Sequence, residues 1–340
     1  MRYIGGKSRL LGHIYNEIQI RNASSVIDIF AGSGVVSSFL SRQGYVVFSN
    51  DFLYFSYVLN RGALRLAEKP SFDGLNGNDA ITILNNLSLE GSGISSDDCF
   101  IRANYSPHKG CERMYFQEKN ALKIDLVRIT IEKWHTDGNI TDDEYYYLLS
   151  RLIYAVPSVS NVAGVYGAYL KTWDPRSYKD LTLMHSVDFR GNPDNVILNK
   201  PFEDALWEFE ADLLYADPPY NSRQYLPNYH ILETIARYDY PTIHGKTGLR
   251  DYGNMEKSDF CIRGKVSEAF RSLIERARVK SIVISYNNEG LLSERDLEFI
   301  CRDYAAPGTF VKTTIPYRRF KSHDGIKTQV KELLFSFDKW

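Results

Sequence analysis

Short apolar runs recur along the chain, and segments whose apolar residues have helical spacing lie between them. Each run holds four or five residues and predicts a buried strand; the runs lie at 26–30, 45–49, 195–198, 213–216 and 281–285. Strands that alternate with helices in this way are typical of a parallel α/β sheet. Two last runs, at 310–316 and 330–337, predict an antiparallel hairpin at the C-terminal end of that sheet.

The alternation stops after about residue 75. Glycines with Asn and Ser neighbours predict loops there, and helical spacing then predicts helices across 115–131 and 144–152. We therefore expect an α/β domain made of residues 1–75 and 191–340, with an inserted, mainly helical subdomain at residues 76–190.

Composition favours a folded protein of the reducing cytoplasm. Hydrophobic residues make up 44% of the chain, and no apolar run reaches the roughly 18 residues of a membrane-spanning helix. The first residues, 1–7, are not followed by the apolar segment of a signal peptide. The four cysteines lie far apart without a C-x-x-C pair, so we expect neither a disulfide framework nor a metal site.

The net charge is −1, but the basic residues are clustered. Residues 311–331 hold six basic side chains and one acid, and the inserted subdomain interleaves basic with aromatic residues. A local basic face binds a phosphate backbone even on a near-neutral protein, and aromatic rings stack on unpaired bases. The alternatives are a solvated surface and a helical cap without a partner. The candidate nucleic-acid contacts are Arg102, Lys109, Arg113, Lys171, Arg176, Arg223, Arg318, Arg319 and Lys321.

The strand predicted at 213–216 runs into Asp217-Pro218-Pro219-Tyr220. Two prolines end the strand, so Asp217 is expected at the carboxyl edge of the sheet, where ligands bind in open α/β folds. The Asp217 carboxylate and the Pro218 carbonyl would accept hydrogen bonds from an exocyclic amine, while the Tyr220 ring stacks on the base. A flipped-out adenine fits this arrangement. The alternative is a simple turn that ends the strand.

A second cluster follows the first two predicted strands. Asp28 lies in the first strand, and Gly32 and Gly34 form the turn into a helix, where the backbone passes close to a ligand. A carboxylate at Asp28 would repel a pyrophosphate and attract the ammonium of a methionine group. Asp51 ends the second strand, where an acid binds ribose hydroxyls; it is also placed to cap the next helix.

Four segments together resemble the adenine-specific DNA methyltransferases of the alpha arrangement, including type II restriction-modification enzymes. They are Tyr3 to Lys7, Asp28 to Gly34, Asn50-Asp51 and Asp217 to Tyr220, in that order, with a long insertion before the last. The resemblance covers most of the chain. It implies a Rossmann-like methyltransferase sheet with S-adenosylmethionine as cofactor, double-stranded DNA as substrate and target recognition by the 76–190 insertion. It also implies a cognate restriction endonuclease that acts on the same sequence.

The resemblance further implies individual roles. Asp28, Gly32 and Gly34 would hold the methionine end of the cofactor with Phe30 beside it, and Asp51 would bind its ribose. The other cofactor contacts that it implies are Tyr3, Lys7, Phe202 and Asp217.

The expected reaction is direct methylation of the N6 amine of adenine. Asp217 and the Pro218 carbonyl orient that amine, and no strong base is needed because the amine becomes acidic only once it is methylated. Three alternatives stay open: an RNA adenine methyltransferase, a cytosine-N4 methyltransferase and a catalytically silent DNA-binding specificity partner.

Overall fold

A computed structural model describes residues 5–186, 188–222, 225–252, 258–317 and 330–340. Its strands are β1 Ser25–Asp28, β2 Val46–Asn50, β3 Val196–Leu198, β4 Leu213–Ala216, β5 Ile243–His244, β6 Leu249–Arg250, β7 Ser281–Asn287, β8 Val311–Tyr317 and β9 Val330–Asp338. Its α-helices are α1 Leu11–Gln19, α2 Val35–Arg42, α3 Tyr54–Leu64, α4 Ala80–Asn86, α5 Leu89–Ser92, α6 Phe100–Tyr105, α7 Glu118–Thr136, α8 Asp142–Ala155, α9 Phe202–Glu208, α10 Tyr225–Arg237, α11 Val266–Arg276 and α12 Glu294–Tyr304.

The chain forms two compact units. The sheet unit comprises the described residues within Lys7–Phe52, Asp194–Tyr225 and Met255–Trp340, and the helical unit comprises those within Met1–Gly6, Leu53–Pro193 and Leu226–Asn254. The helical unit therefore contains the predicted insertion at 76–190 together with α3 and most of α10. The assignment of that insertion to target recognition stays a prediction.

The sheet unit is a mixed α/β fold built on a mostly parallel sheet. The strand order is β3-β2-β1-β4-β7-β9-β8, and the first five of these strands run parallel. The strands β7, β9 and β8 pair antiparallel, with Glu332 opposite Asn287. The connection between β8 and β9, at 318–329, lies outside the described residues. This sheet is consistent with a methyltransferase fold.

The central strands are buried on both faces, as their continuous apolar runs predict. Alternate residues of β4 show the pattern: Leu213 and Tyr215 join a core with α1 and α2, whereas Leu214 and Ala216 join a core with α9, α11 and α12. A one-residue shift in register would exchange the two faces. Burial of the apolar residues thus fixes the register of each strand, and the register fixes which residues lie at the carboxyl edge.

In the helical unit, the first amides of α3 are satisfied by a distant residue. The Tyr54 and Phe55 N–H groups donate to the two carboxylate oxygens of Glu233, at 3.1 and 3.0 Å. Glu233 is buried and also accepts from Arg237, at 2.6 Å. Negative charge at a helix N-terminus is favourable, so Glu233 stabilises the start of α3 from α10.

No helix among the described residues is long and apolar enough to cross a membrane. Cys99, Cys111, Cys261 and Cys301 are free cysteines.

Close packing of α3 against α8 depends on Gly62. A methyl carbon added there would lie 2.5 Å from the Ser150 hydroxyl and 2.7 Å from the Tyr146 carbonyl oxygen. Because the Tyr146 oxygen belongs to the backbone of α8, it cannot rotate away. The two helices would have to separate.

We expect Gly62→Ala to destabilise the protein, even though alanine is more favourable than glycine inside a helix by about 1 kcal/mol. Overpacking costs about 1–3 kcal/mol, so the midpoint of thermal unfolding should fall by several degrees. Gly12→Ala in α1 is the matched control, because nothing lies within 4 Å of the added carbon, and its midpoint should hold or rise. A Gly62→Ala midpoint equal to that of Gly12→Ala would contradict this packing.

Candidate active site

Asp28 ends β1, and the described residues donate a hydrogen bond to one of its two carboxylate oxygens. The residue is 1% exposed, and Oδ2 accepts from the Ser37 hydroxyl at 2.6 Å. Oδ1 is buried and has no hydrogen-bond donor among the described residues. A buried acceptor without a donor is costly and uncommon, so this oxygen is suited to a ligand that supplies one.

Burial raises the pKa of Asp28 to about 7. The hydrogen bond from Ser37 opposes the shift, and the charges of Asp217 and Asp51 add to it. A cation beside Oδ1 would reverse the effect and favour the carboxylate.

The turn after β1 places two glycines and Asp51 together. Gly32 and Gly34 have φ values of 53° and 75°, a region that favours glycine, and Gly34 is the N-cap residue of α2. The Gly32 N–H donates to Oδ2 of Asp51 at 2.7 Å, and the Ala31 N–H donates to the Asn50 carbonyl at 2.9 Å. The end of β2 therefore fixes the shape of the turn that follows β1.

Asp217 follows β4 and is ion-paired. Lys7 is buried, with 4% of its surface exposed. Its Nζ lies 2.8 Å from Oδ1 of Asp217 and 2.9 Å from Oε1 of Glu332. Glu332 is itself buried and accepts from the Ser285 hydroxyl at 2.6 Å. One ammonium thus bridges two carboxylates. Among the described residues, no hydrogen bond is made to Oδ2 of Asp217.

The charges of this cluster shift one another's pKa values. Burial works against the charge of Lys7, but Asp217 and Glu332 outweigh it and raise the pKa of Lys7. Burial also raises the pKa of Asp217; Lys7 opposes that shift and Glu332 adds to it. Lys7 therefore stays protonated, and the cluster of two carboxylates and one ammonium carries one net negative charge when both acids are ionised.

The residues after Asp217 continue along the edge of the sheet. Pro218 is buried, and Pro219 and Tyr220 are half-buried. The Tyr220 carbonyl accepts from the Leu291 N–H at 2.8 Å, which ties this turn to the loop after β7. The Tyr220 ring packs partly against the core formed with α9, α11 and α12. A partly open ring beside a carboxylate is the arrangement that the sequence predicts for base stacking.

Phe30 and Phe202 lie in one aromatic cluster. Their ring centroids are 5.7 Å apart, and Phe260 is 5.3 Å from Phe30 and 5.4 Å from Phe202. The structure thus brings together two residues that the resemblance assigns to the cofactor. Phe260 lies in a short 3₁₀ helix, Asp259–Cys261, that precedes α11, and no sequence motif identifies it.

Three candidate nucleic-acid contacts hold partners within the helical unit. Arg102 pairs with Glu118 at 2.6 Å, and Arg113 donates to the backbone carbonyls of Asn104, Gly245 and Lys246. Arg176 donates to the Val162 carbonyl and pairs with Asp174 at 3.2 Å. These contacts would hold the three guanidinium groups in place, and their roles toward nucleic acid stay predictions.

Two further candidates, Lys109 and Lys171, are exposed in the same unit. Lys109 makes a long contact of 3.5 Å to Asp97, which is itself exposed. Tyr3, Arg223, Arg318, Arg319 and Lys321 lie outside the described residues, and their roles also stay predictions.

Sequence reasoning missed Glu332 and Ser37. Glu332 belongs to the predicted last strand, where an acid next to Lys331 suggests the solvent face. Its alternation with the buried Leu334 and Ser336 was the available signal, since those residues share one face of β9. Ser37 lies in the first turns of α2, three residues after Gly34, where helical spacing points it back toward the end of β1.

The fold and the site define an α/β protein with a carboxylate-rich candidate ligand site at the carboxyl edge of its sheet. In a comparison with protein families, residues 3–298 match the model of the D12 class N6 adenine-specific DNA methyltransferases. The chain belongs to this family.

Three relatives illustrate the similarity. The chain is 42% identical to the type II methyltransferase M.FokI of Planomicrobium okeanokoites, with 100% of this chain and 53% of that protein covered. It is 40% identical to the modification methylase StsI of Streptococcus sanguinis, over 98% of this chain and 51% of that protein. It is 35% identical to the type II methyltransferase M.NlaIII of Neisseria lactamica, over 95% and 93%. The chain thus spans about half the length of the first two relatives.

The raised pKa of Asp28 predicts a pH-dependent cost to stability. The folded protein holds a proton on Asp28 up to about pH 7, whereas the unfolded chain releases it near pH 4, so this group's contribution to the free energy of unfolding falls as pH rises through that window. We expect Asp28→Asn to gain on the wild type by about 1 kcal/mol per pH unit between pH 5 and 6.5. Urea unfolding at a series of pH values measures the difference.

Asp212→Asn is the control for this measurement. Hydrogen bonds from Ser24 and Ser25 lower the pKa of Asp212 to about 2, so its contribution does not change between pH 5 and pH 8. A pH-independent difference for Asp28→Asn, parallel to that of Asp212→Asn, would contradict the buried, unpaired state of Asp28.

Proposed function

We propose that this protein transfers a methyl group from S-adenosylmethionine to the N6 amine of a flipped-out adenine in duplex DNA. The observation that carries the proposal is the state of Asp217: Lys7 holds one carboxylate oxygen, and no described residue donates to the other. The Asp-Pro-Pro-Tyr segment therefore offers an acceptor, a backbone carbonyl and an aromatic ring at one edge of the sheet. Membership of the N6 adenine-specific family supports adenine as the target.

The residues at the ends of β1 and β2 fit the cofactor. Oδ1 of Asp28 is buried without a donor among the described residues and would accept from the ammonium of the methionine part. Positive φ at Gly32 and Gly34 removes side chains from the turn where the backbone would approach the ligand. Asp51 would bind the ribose hydroxyls.

Aromatic residues would complete the cofactor site. Phe30 and Phe202 would flank the cofactor, and Phe260 would support both rings. Tyr3 is proposed to contact the donor from the N-terminal segment. When bound, S-adenosylmethionine would supply a methyl group on a sulfonium sulfur, with the neutral thioether as the leaving group of the transfer.

The protein's own contribution is orientation and charge. Oδ2 of Asp217 and the Pro218 carbonyl would each accept one hydrogen of the amine, and the Tyr220 ring would stack on the base. This leaves the nitrogen lone pair directed at the methyl group, and holding reactants in such geometry lowers the barrier substantially. The amine acquires positive charge as it is methylated, and its proton then leaves to Asp217 or to water.

Target recognition is assigned to the inserted subdomain at 76–190. Lys109 and Lys171 are exposed there and are suited to phosphate contacts, which fix the position of a protein on DNA without reading its sequence. Arg102, Arg113 and Arg176 would act in orientations that their internal partners fix. Arg223, Arg318, Arg319 and Lys321 are proposed as further DNA contacts of the catalytic part, formed by residues 1–75 and 191–340.

The partners and the compartment follow from the same proposal. Relatives named as type II methyltransferases and modification methylases support a role beside a restriction endonuclease that cuts the same DNA sequence. Four free cysteines suit the reducing cytoplasm.

Transfer of label from tritiated S-adenosylmethionine to mixed-sequence duplex DNA tests the reaction. We expect the label in N6-methyldeoxyadenosine after digestion of the product. Label in N4-methyldeoxycytidine, or in RNA alone, would replace the proposal by a cytosine or an RNA enzyme. Absence of transfer with the cofactor still bound would indicate a silent DNA-binding partner.

Asp217→Ala should abolish methyl transfer, because the amine loses its acceptor. Binding of S-adenosylhomocysteine, measured by calorimetry, should persist. Asp303→Ala, which removes a surface carboxylate paired with Arg271 on α11, serves as the control and should keep wild-type activity. An active Asp217→Ala enzyme would contradict the role of Asp217 as acceptor of the target amine.

Tyr220→Ala should weaken the hold on the flipped adenine by about 1–3 kcal/mol, since this is the usual contribution of a stacked ring. The effect should appear in KM for DNA and in kcat, with the affinity for S-adenosylhomocysteine unchanged. Tyr220→Phe is the matched control because it keeps the ring and removes only the hydroxyl. Equal losses in the two variants would show that the hydroxyl, rather than stacking, is what matters.

A further inference from the structure

Glu332 is a buried acid that the proposed reaction does not use directly. It lies in β9 opposite Asn287, and it is 4% exposed. It lies beyond residue 298, where the match to the family model ends. Among the described residues, its carboxylate contacts Lys7 Nζ at 2.9 Å and the Ser285 hydroxyl at 2.6 Å, both through Oε1.

Lys7 is held from two sides by these acids. A single Lys7–Asp217 pair would leave the ammonium free to rotate about its long side chain, and it could then bridge both oxygens of Asp217. Glu332 removes that freedom, because a second carboxylate at 2.9 Å fixes the direction from which Nζ reaches Oδ1 at 2.8 Å. Ser285 in turn fixes Oε1 of Glu332.

Resting on the proposed methyltransferase function, we propose that Glu332 is a positioning residue: it holds Lys7 on Oδ1 of Asp217, so that Oδ2 is left to accept from the target amine. It also keeps the cluster anionic. One ammonium between two carboxylates carries a net charge of −1, and this charge stabilises the positive charge that develops on N6. A Lys7–Asp217 pair alone would be neutral and would stabilise it less.

A purely structural ion pair is the competing explanation, and the chain supplies a matched case. Glu17 in α1 is also buried and accepts hydroxyl hydrogen bonds from Thr313 and Ser336, each at 2.6 Å. It belongs to the same sheet unit, and its two hydroxyl partners, Thr313 and Ser336, are not residues of the proposed site. Loss of its charge tests what the removal of a buried glutamate does by itself.

The experiment compares Glu332→Gln with Glu17→Gln in the full chain, with mixed-sequence duplex DNA as substrate. Glu332→Gln isolates the charge, because the amide keeps the shape of the side chain and can still accept from Lys7. We expect kcat of Glu332→Gln to fall about tenfold to hundredfold, because the neutral amide holds Lys7 more weakly and the cluster loses its net negative charge. KM for S-adenosylmethionine and the affinity for S-adenosylhomocysteine should stay within about twofold, since Asp28 and Asp51 are intact.

The pH profile provides a readout that a structural role would not move. Glu332 raises the pKa of Asp217, so its loss should shift the acid limb of the kcat profile to lower pH. The groups that face Asp217 are Lys7, Asp28 on β1, Tyr215 on β4 and Glu332 on β9, together with Tyr220. Of these, the variant changes Glu332 alone.

A measurement independent of activity is the titration of Asp217 itself. Carbon-13 NMR of aspartate-labelled protein, assigned with Asp217→Asn, should show a lower pKa of Asp217 in Glu332→Gln than in wild type or in Glu17→Gln. Ser285→Ala is a second variant that loosens Glu332 and keeps its charge. It should lower kcat less and leave the acid limb in place.

The outcomes are distinct. Wild-type kcat and an unmoved Asp217 titration in Glu332→Gln overturn this inference and leave the proposed function standing. Equal losses of kcat in Glu332→Gln and Glu17→Gln, with matching drops in thermal midpoint, also overturn it in favour of a structural role. An inactive wild-type protein refutes the proposed function, and a shifted Asp217 titration in that case still links Glu332 to Asp217.

Discussion

The ion pair between Lys7 and Asp217 is the interaction on which the site depends, because it favours the charged form of a carboxylate that is largely removed from water. A buried carboxylate loses its hydration and tends to take up a proton. Lys7 compensates Asp217 at 2.8 Å and Glu332 at 2.9 Å with the same ammonium. Removal of that lysine would leave the half-buried Asp217 and the buried Glu332 without their shared cation, which costs more than loss of a surface pair. Lys7, which precedes α1, is therefore part of the site.

Asp28 shows the opposite solution to the same problem. It has no cation beside it among the described residues, one of its oxygens lacks a donor there, and burial raises its pKa to about 7. A protein selected for stability alone would replace it, since an unsatisfied buried acceptor costs about 1–3 kcal/mol. Its presence makes sense if a bound cation completes it. The two acids therefore differ in how their charge is compensated. Lys7 compensates Asp217, whereas Asp28 is left for a ligand.

Much of the sheet could be predicted from the sequence, because burial on both faces leaves an unambiguous apolar run. The run at 213–216 coincides with β4, and those near β1, β2, β3 and β7 fall within one or two residues of the observed strands. The glycine turn and the acids at strand ends were predictable for the same reason, since topology places them at one edge. Glu332 and Glu233 were not. Neither acid belongs to a motif, and only the partner in space, Lys7 for Glu332 and the first amides of α3 for Glu233, shows why each is buried.

The antiparallel strand β9 explains how the sheet brings Glu332 to this edge. In the parallel strands the carboxyl ends meet at the site, so each contributes residues that follow it, as Asp217 follows β4. β9 runs the other way and pairs Glu332, near its start, with Asn287 at the end of β7. A parallel strand in the same place would bring its C-terminal residues there and would send its first residues to the far edge. The reversal of direction therefore places residues early in β9 beside those that end the parallel strands. In this way Glu332, close to the last residue of the sequence, lies next to Lys7, close to the first.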